Sequence, residues 1–129
     1  MIYMPTKKDL KILVVDDFSA TRTIVINYLS KLGFGNTVQT ENGISALARL
    51  KSAFFDLVIT DCSLSDMSGL DLLKQIRSDY DLKHIPVLMV TSEDLQGDII
   101  NAIKAGLNDY IVRPFEEYTF KQKLEKIFV

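Results

Sequence analysis

Five times along the chain a short strand-like run is followed by a longer stretch whose apolar residues recur at helical spacing. The runs are KILVV, TVQT, DLVIT, PVLMV and DYIV. Three of them, Ile12 to Val15, Leu57 to Ile59 and Val87 to Val90, are apolar at consecutive positions, the pattern of parallel strands buried on both faces. TVQT, at 37–40, is short and mixed and reads as an edge strand. After the first run, Ile24, Val25, Tyr28, Leu29 and Leu32 form one stripe that Gly33 ends. Ser68 and Asp71 fit a capping box ahead of Leu72, Leu73 and Ile76, and Phe120, Leu124, Ile127 and Phe128 share a face of the last helix. Repeated strand–helix units joined by right-handed crossovers give an α/β fold, (βα)5, with a five-stranded parallel sheet between helices. Strand order does not follow from this pattern; the flavodoxin-like order 2-1-3-4-5 is the expectation for a doubly wound sheet of this size.

The 129 residues are one domain's worth, and the net charge of -2 argues against a general nucleic-acid surface. The single cysteine, Cys62, excludes an internal disulfide and a multi-cysteine zinc site, and fits a reducing cytoplasm. MIYMPTKKDLK lacks the long apolar stretch of a signal peptide, and no run approaches the ~20 apolar residues that span a bilayer. A soluble, cytoplasmic chain with no membrane partner is expected.

The polar residues at the strand ends carry the functional argument. Asp16 and Asp17 close the first run, Asp61 the third, Thr91 and Ser92 the fourth, and Arg113 and Pro114 the fifth. In a parallel sheet these carboxyl ends share one edge, and ligands bind where the strand order reverses, here between the first and third strands. Asp16, Asp17 and Asp61 are therefore expected to face one another within a few Å. Two unit charges ~4 Å apart repel by about 4 kcal/mol at an effective dielectric of 20, so such a cluster needs a cation. Mg2+ prefers oxygen donors and few protein ligands. An aspartate beside it can accept a phosphoryl group, with Thr91, Ser92 and Arg113 as stabilising groups. Asp61, on the central strand, is the expected phosphoacceptor.

VVDDFSATR, DLVITDCSLSDMSGLDLL, PVLMVTSED and YIVRPF together resemble the receiver domains of two-component response regulators, and most of all the stand-alone chemotaxis members. The resemblance spans nearly all of 1–129 and implies one receiver domain, with no output domain after Val129 and a monomeric state. It implies phosphorylation of Asp61 by a histidine kinase, direct Mg2+ ligation by Asp17, and a carboxylate at Asp16 that holds the ion through water. It makes the backbone carbonyl of Ser63 a further ligand, Thr91 and Tyr110 the switch residues, and the Arg113–Pro114 bond cis. The chain would then be a signalling switch rather than an enzyme for an external substrate, although it catalyses its own phosphorylation and slow dephosphorylation. It would bind the flagellar motor switch, with a phosphatase as a further partner. The alternative is a receiver that drains phosphate from a kinase or serves a non-flagellar partner.

Two departures from the family pattern stand out, beside two variable positions. The family's cation before the proline is lysine, whereas here it is Arg113. Ser65 replaces a frequent proline, and Ser63 and Glu93 fall at variable positions that tune hydrolysis. Rival readings fare worse. Haloacid dehalogenase phosphatases need D-x-D, and Phe18 occupies the place of the second aspartate. A flavin carrier on the same fold needs a phosphate-cradling loop after the first strand, where Asp16 and Asp17 would repel the phosphate.

Overall fold

Consecutive apolar residues on an extended chain point to opposite faces, so each buried strand must be covered twice. In the computed structural model, which describes residues 6–92 and 96–128 and the side chains of all these but 96 and 97, this is what the helices do. The order is β1 (Lys11–Val15), α1 (Ser19–Lys31), β2 (Asn36–Thr40), α2 (Gly43–Ser52), β3 (Leu57–Asp61), α3 (Gly69–Ser78), β4 (Val87–Thr91), α4 (Gln96–Lys104), β5 (Asp109–Val112) and α5 (Glu117–Phe128). The sheet is parallel throughout, in the order β2-β1-β3-β4-β5.

One face of the sheet presents Ile12, Val14, Ile59 and Val90 to Val25 and Leu29 of α1 and to Phe120 and Leu124 of α5. The other presents Leu13, Val15, Val58 and Met89 to helices α2, α3 and α4, through residues such as Leu50, Leu73 and Ile99. β3 and β4 are buried at every residue. β2 pairs only with β1 and keeps just Thr40 buried, as expected for an edge strand. α3 begins with the expected capping box: Ser68 Oγ accepts from the Asp71 amide and Asp71 accepts from the Ser68 amide.

The registers bring the polar strand ends together. Val15 pairs with Thr60, Asp61 with Val90 and Thr91 with Val112, so Asp16, Asp61, Thr91 and Arg113 leave the sheet at one level. Glu93 lies outside the described residues, as do the start of the chain at 1–5 and Val129.

Candidate functional site

Asp61 is the last residue of β3 and only 5% exposed, so its charge is stripped of most of its water. The backbone beside it has no room to spare. A Cβ on Gly69 would come within 2.5 Å of the Asp61 carbonyl, so the start of α3 packs directly on the strand end. The Gly69 amide donates to the Cys62 carbonyl at 2.8 Å. Cys62 itself points into the core as a buried thiol.

The Asp61 carboxylate has two contrasting oxygens. Oδ2 accepts the Ser63 amide at 3.1 Å. Oδ1 is 2.7 Å from Nη1 of Arg113, a close ion pair, yet this buried oxygen meets no hydrogen bond of good geometry. Burial raises the carboxyl's pKa above its ordinary 3.8; Arg113 and the Ser63 amide oppose that shift, while the charge of Asp16 adds to it. Arg113 reaches the site because β5 ends beside β4: its amide donates to the Thr91 carbonyl at 2.7 Å, and the following bond to Pro114 is cis.

Asp16 is equally buried, but a neutral donor meets each of its oxygens. Its Oδ1 accepts the Phe18 amide at 2.9 Å and its Oδ2 accepts the Thr21 hydroxyl, while Arg22 Nη1 donates to its carbonyl at 2.6 Å. Asp17 is exposed. Among the described residues no three His, Cys, Asp or Glu side chains are grouped closely enough to hold one ion by themselves, although Asp16 is near enough for its charge to act on Asp61. The reason is geometric. Adjacent residues leaving a strand diverge, so Asp16 turns inward and Asp17 outward. Asp61 instead receives its positive charge from Arg113.

The donor set nonetheless fits a hard, oxygen-seeking cation. Asp61 Oδ1 is a buried oxygen still lacking a directed partner, and Asp17 sits exposed at the neighbouring strand end. The Ser63 carbonyl stands outside the ladder of the Ser63–Ser68 bridge, whose bonds run through Cys62 and Leu64. A cavity of about 500 Å³ opens beside Asp16 and Arg113, walled by Ile24, Tyr28 and Phe115.

The switch candidates lie on the far side of Asp61. Thr91 is buried, and its hydroxyl donates to the Ser92 carbonyl at 3.3 Å rather than to Asp61. Tyr110 is half-buried, with Lys123 Nζ 5.3 Å from its ring centre. Lys123 also forms a 2.9 Å ion pair with Asp109, so it belongs to this cluster and not to a freely solvated helix face. A cavity of about 380 Å³ separates Thr91 from Tyr110 and is lined by Ile99 and Ile103. Sequence reasoning assigned no role to Thr21 or Arg22. Their only signal was helical position, one turn beyond the strand end that they close.

Residues 12–125 match the family model described as the response regulator receiver domain. The chain is 54% identical over 121 residues to a chemotaxis protein of Vibrio cholerae named CheY-3, covering 94% of this chain and 93% of that one. The structure of the Vibrio cholerae chemotaxis response regulator CheY4 superposes with a TM-score of 0.84 at 29% identity, over 92% of this chain and 98% of the other. The receiver domain of a sensor histidine kinase from Pseudomonas aeruginosa, described with a magnesium ion coordinated in its active-site cleft, gives a TM-score of 0.83 at 28% identity, over 92% and 97%.

Proposed function

Because the chain belongs to the response regulator receiver family and is of the CheY type, we propose that Asp61 accepts a phosphoryl group from a histidine kinase and that the phosphorylated chain regulates flagellar rotation. The observation that carries this reading is the buried Asp61 carboxylate, raised in basicity, held from one side by an amide and from the other by a guanidinium.

A carboxylate oxygen of Asp61 attacks phosphorus, the phosphorus–nitrogen bond of the kinase phosphohistidine breaks, and the electron pair stays with the imidazole. The Ser63 amide and Arg113 orient the nucleophile beforehand. Arg113 then faces the phosphoryl oxygens that replace the bare carboxylate charge. Asp16, Asp17, Asp61 and the Ser63 carbonyl would hold Mg2+, which when bound supplies neutralising charge to the transferring group. Magnesium in the cleft of the Pseudomonas receiver supports this assignment.

The Thr91 hydroxyl, now held only by a long bond to a neighbouring carbonyl, has a stronger acceptor once Asp61 carries a phosphoryl group. Its movement would vacate space towards the 380 Å³ cavity that Tyr110 lines, and the ring turning inward changes the surface offered by α4, β5 and α5. The receiver then acts as a switch that works by partner affinity, with the motor switch as its target.

Intact-mass measurement after incubation with acetyl phosphate and Mg2+ tests the chemistry. A single phosphoryl adduct is expected, and Asp61→Asn should abolish it; an adduct that persists in the variant refutes Asp61 as acceptor. Capture of partners with and without beryllofluoride tests the output. Recovery of the motor switch protein only with the mimic is expected; recovery of a kinase alone would point to a phosphate drain.

A further inference from the structure

Asp66 lies in the β3–α3 loop, three residues beyond Ser63, yet its carboxylate serves a different element. Oδ1 accepts the Gly43 amide at 2.9 Å and Oδ2 the Ile44 amide at 2.9 Å. Both amides belong to the first turn of α2 and have no partner within the helix. The helix already has its own cap, since Asn42 Oδ1 accepts the Ser45 amide at 2.8 Å. The start of α2 is thus held from within its own chain segment and again from a loop 22 and 23 residues away. The two amide bonds, Gly43 first, keep the Asp66 carboxyl below its ordinary pKa, the signature of charge-assisted acceptance.

A second contact closes the same junction. Met67 packs so tightly over Gly43 that a Cβ there would lie 2.3 Å from its sulfur. The loop is also tied to itself, with the Leu64 amide donating to the Met67 carbonyl at 3.1 Å. No proline stiffens the backbone between Asp61 and Gly69, so these contacts supply the restraint. What they restrain is Ser63, whose amide holds Asp61 Oδ2 and whose carbonyl faces away from the bridge.

We propose that Asp66 is a positioning residue: by clasping the N-terminus of α2 it holds the β3–α3 loop so that the Ser63 amide and carbonyl are set for Asp61 and for a divalent ion. This rests on the reading of Asp61 given above. Asp66 touches neither the phosphoryl group nor the ion. Its effect passes through the backbone, as expected where small misplacements of supporting groups cost rate and affinity.

The test compares Asp66→Ala, Asp66→Asn and Asn42→Ala with the wild-type chain in about 1 M KCl, where a Debye length of ~3 Å removes the simple effect of losing a charge. Amide exchange at Ser63 and Leu64 is followed in metal-free protein, Mg2+ affinity by calorimetry, and labelling rate with acetyl phosphate. Asp66→Ala should speed exchange several-fold, weaken Mg2+ binding about three- to tenfold and slow labelling by a similar factor. Asp66→Asn, which keeps one acceptor oxygen, should fall between. Asn42→Ala should lower Tm at least as much while leaving affinity and labelling at wild-type values. Wild-type Mg2+ affinity and labelling in Asp66→Ala would overturn the proposal, as would an equal loss in Asn42→Ala, which would trace the effect to the stability of α2. A wild-type chain that neither takes up Mg2+ nor becomes labelled overturns the reading of Asp61 itself, and this inference with it.

Discussion

The carboxyl ends of β1 and β3 each bring one buried carboxylate to the same edge of the sheet, and Asp16 and Asp61 are equally buried at 5% exposure. Their surroundings differ in kind. Asp16 is enclosed by neutral donors, the Phe18 amide and the Thr21 hydroxyl, one for each oxygen. Asp61 has one amide, and for its other oxygen a guanidinium that approaches without a directed bond. A carboxylate saturated by neutral donors is structural and costly to remove. One left partly unsatisfied beside a cation keeps more of its basicity, as the proposed role of Asp61 as nucleophile requires. The difference teaches that burial alone does not mark a reactive group; the completeness of its hydrogen bonding does.

The largest effect on stability should come from breaking the saturated side. Asp16→Ala leaves the Phe18 amide without its acceptor and the Thr21 hydroxyl with only the Phe18 carbonyl at 3.2 Å, at a cost of about 1–3 kcal/mol. The same change removes a negative charge that raises the pKa of Asp61, so the Asp61 carboxyl should become more acidic. Thermal unfolding and carboxyl carbon NMR titration measure the two effects on one variant. A variant as stable as wild type would show that Asp16 is not the structural partner in the comparison.

The partly unsatisfied side should respond with the opposite sign. Because the folded chain holds the Asp61 proton to higher pH than the unfolded chain does, the fold binds more protons in the interval between the two pKa values. The stability tied to Asp61 is therefore fully present below about 3.8 and is lost as pH rises through the folded value. At neutral pH the ionised group is a net cost, and Asp61→Asn should raise Tm. The difference in stability between the variant and wild type should widen on going from acid to neutral pH. A difference that narrows would mean that the Arg113 ion pair outweighs burial.

The same contrast shows what could be read from the residues alone. Runs of consecutive apolar residues led directly to a parallel sheet covered on both faces, because only burial on two sides permits them. The strand ends then picked out Asp16, Asp61, Thr91 and Arg113, since parallel strands put all carboxyl ends on one edge. What stayed hidden was direction. Asp16 and Asp17 are neighbours in sequence, but alternation of side chains sends one inward and leaves the other exposed. The closing bonds were also hidden. Thr21 reaches Asp16 only because α1 starts where it does, and Asp66 meets Gly43 across a separation no local spacing rule covers. The packing of α5 on β5, which no spacing rule shows, sets Lys123 over Tyr110 and against Asp109.

The smallest effect, and the one that most sharpens the comparison, concerns Arg113. Its side chain keeps 30% exposure while pairing with Asp61, so exchange for lysine preserves the charge without opening a buried hole. Arg113→Lys should leave unfolding unchanged within about 0.5 kcal/mol. The phosphoryl lifetime should respond more. A guanidinium is planar and can face two phosphoryl oxygens at once, whereas an ammonium is compact, strongly hydrated and brings water with it. With arginine in place, the oxygens are clasped and the approach from the cavity beside Tyr28 and Phe115 is partly filled; with lysine, that approach is open to water. Dephosphorylation of Arg113→Lys should therefore run about two- to fivefold faster, a difference below ~1 kcal/mol in the barrier. Decay of the adduct after removal of acetyl phosphate measures it. Equal lifetimes would mean that arginine and lysine serve Asp61 alike, and that only the charge at this position, not the shape that carries it, sets Asp61 apart from Asp16.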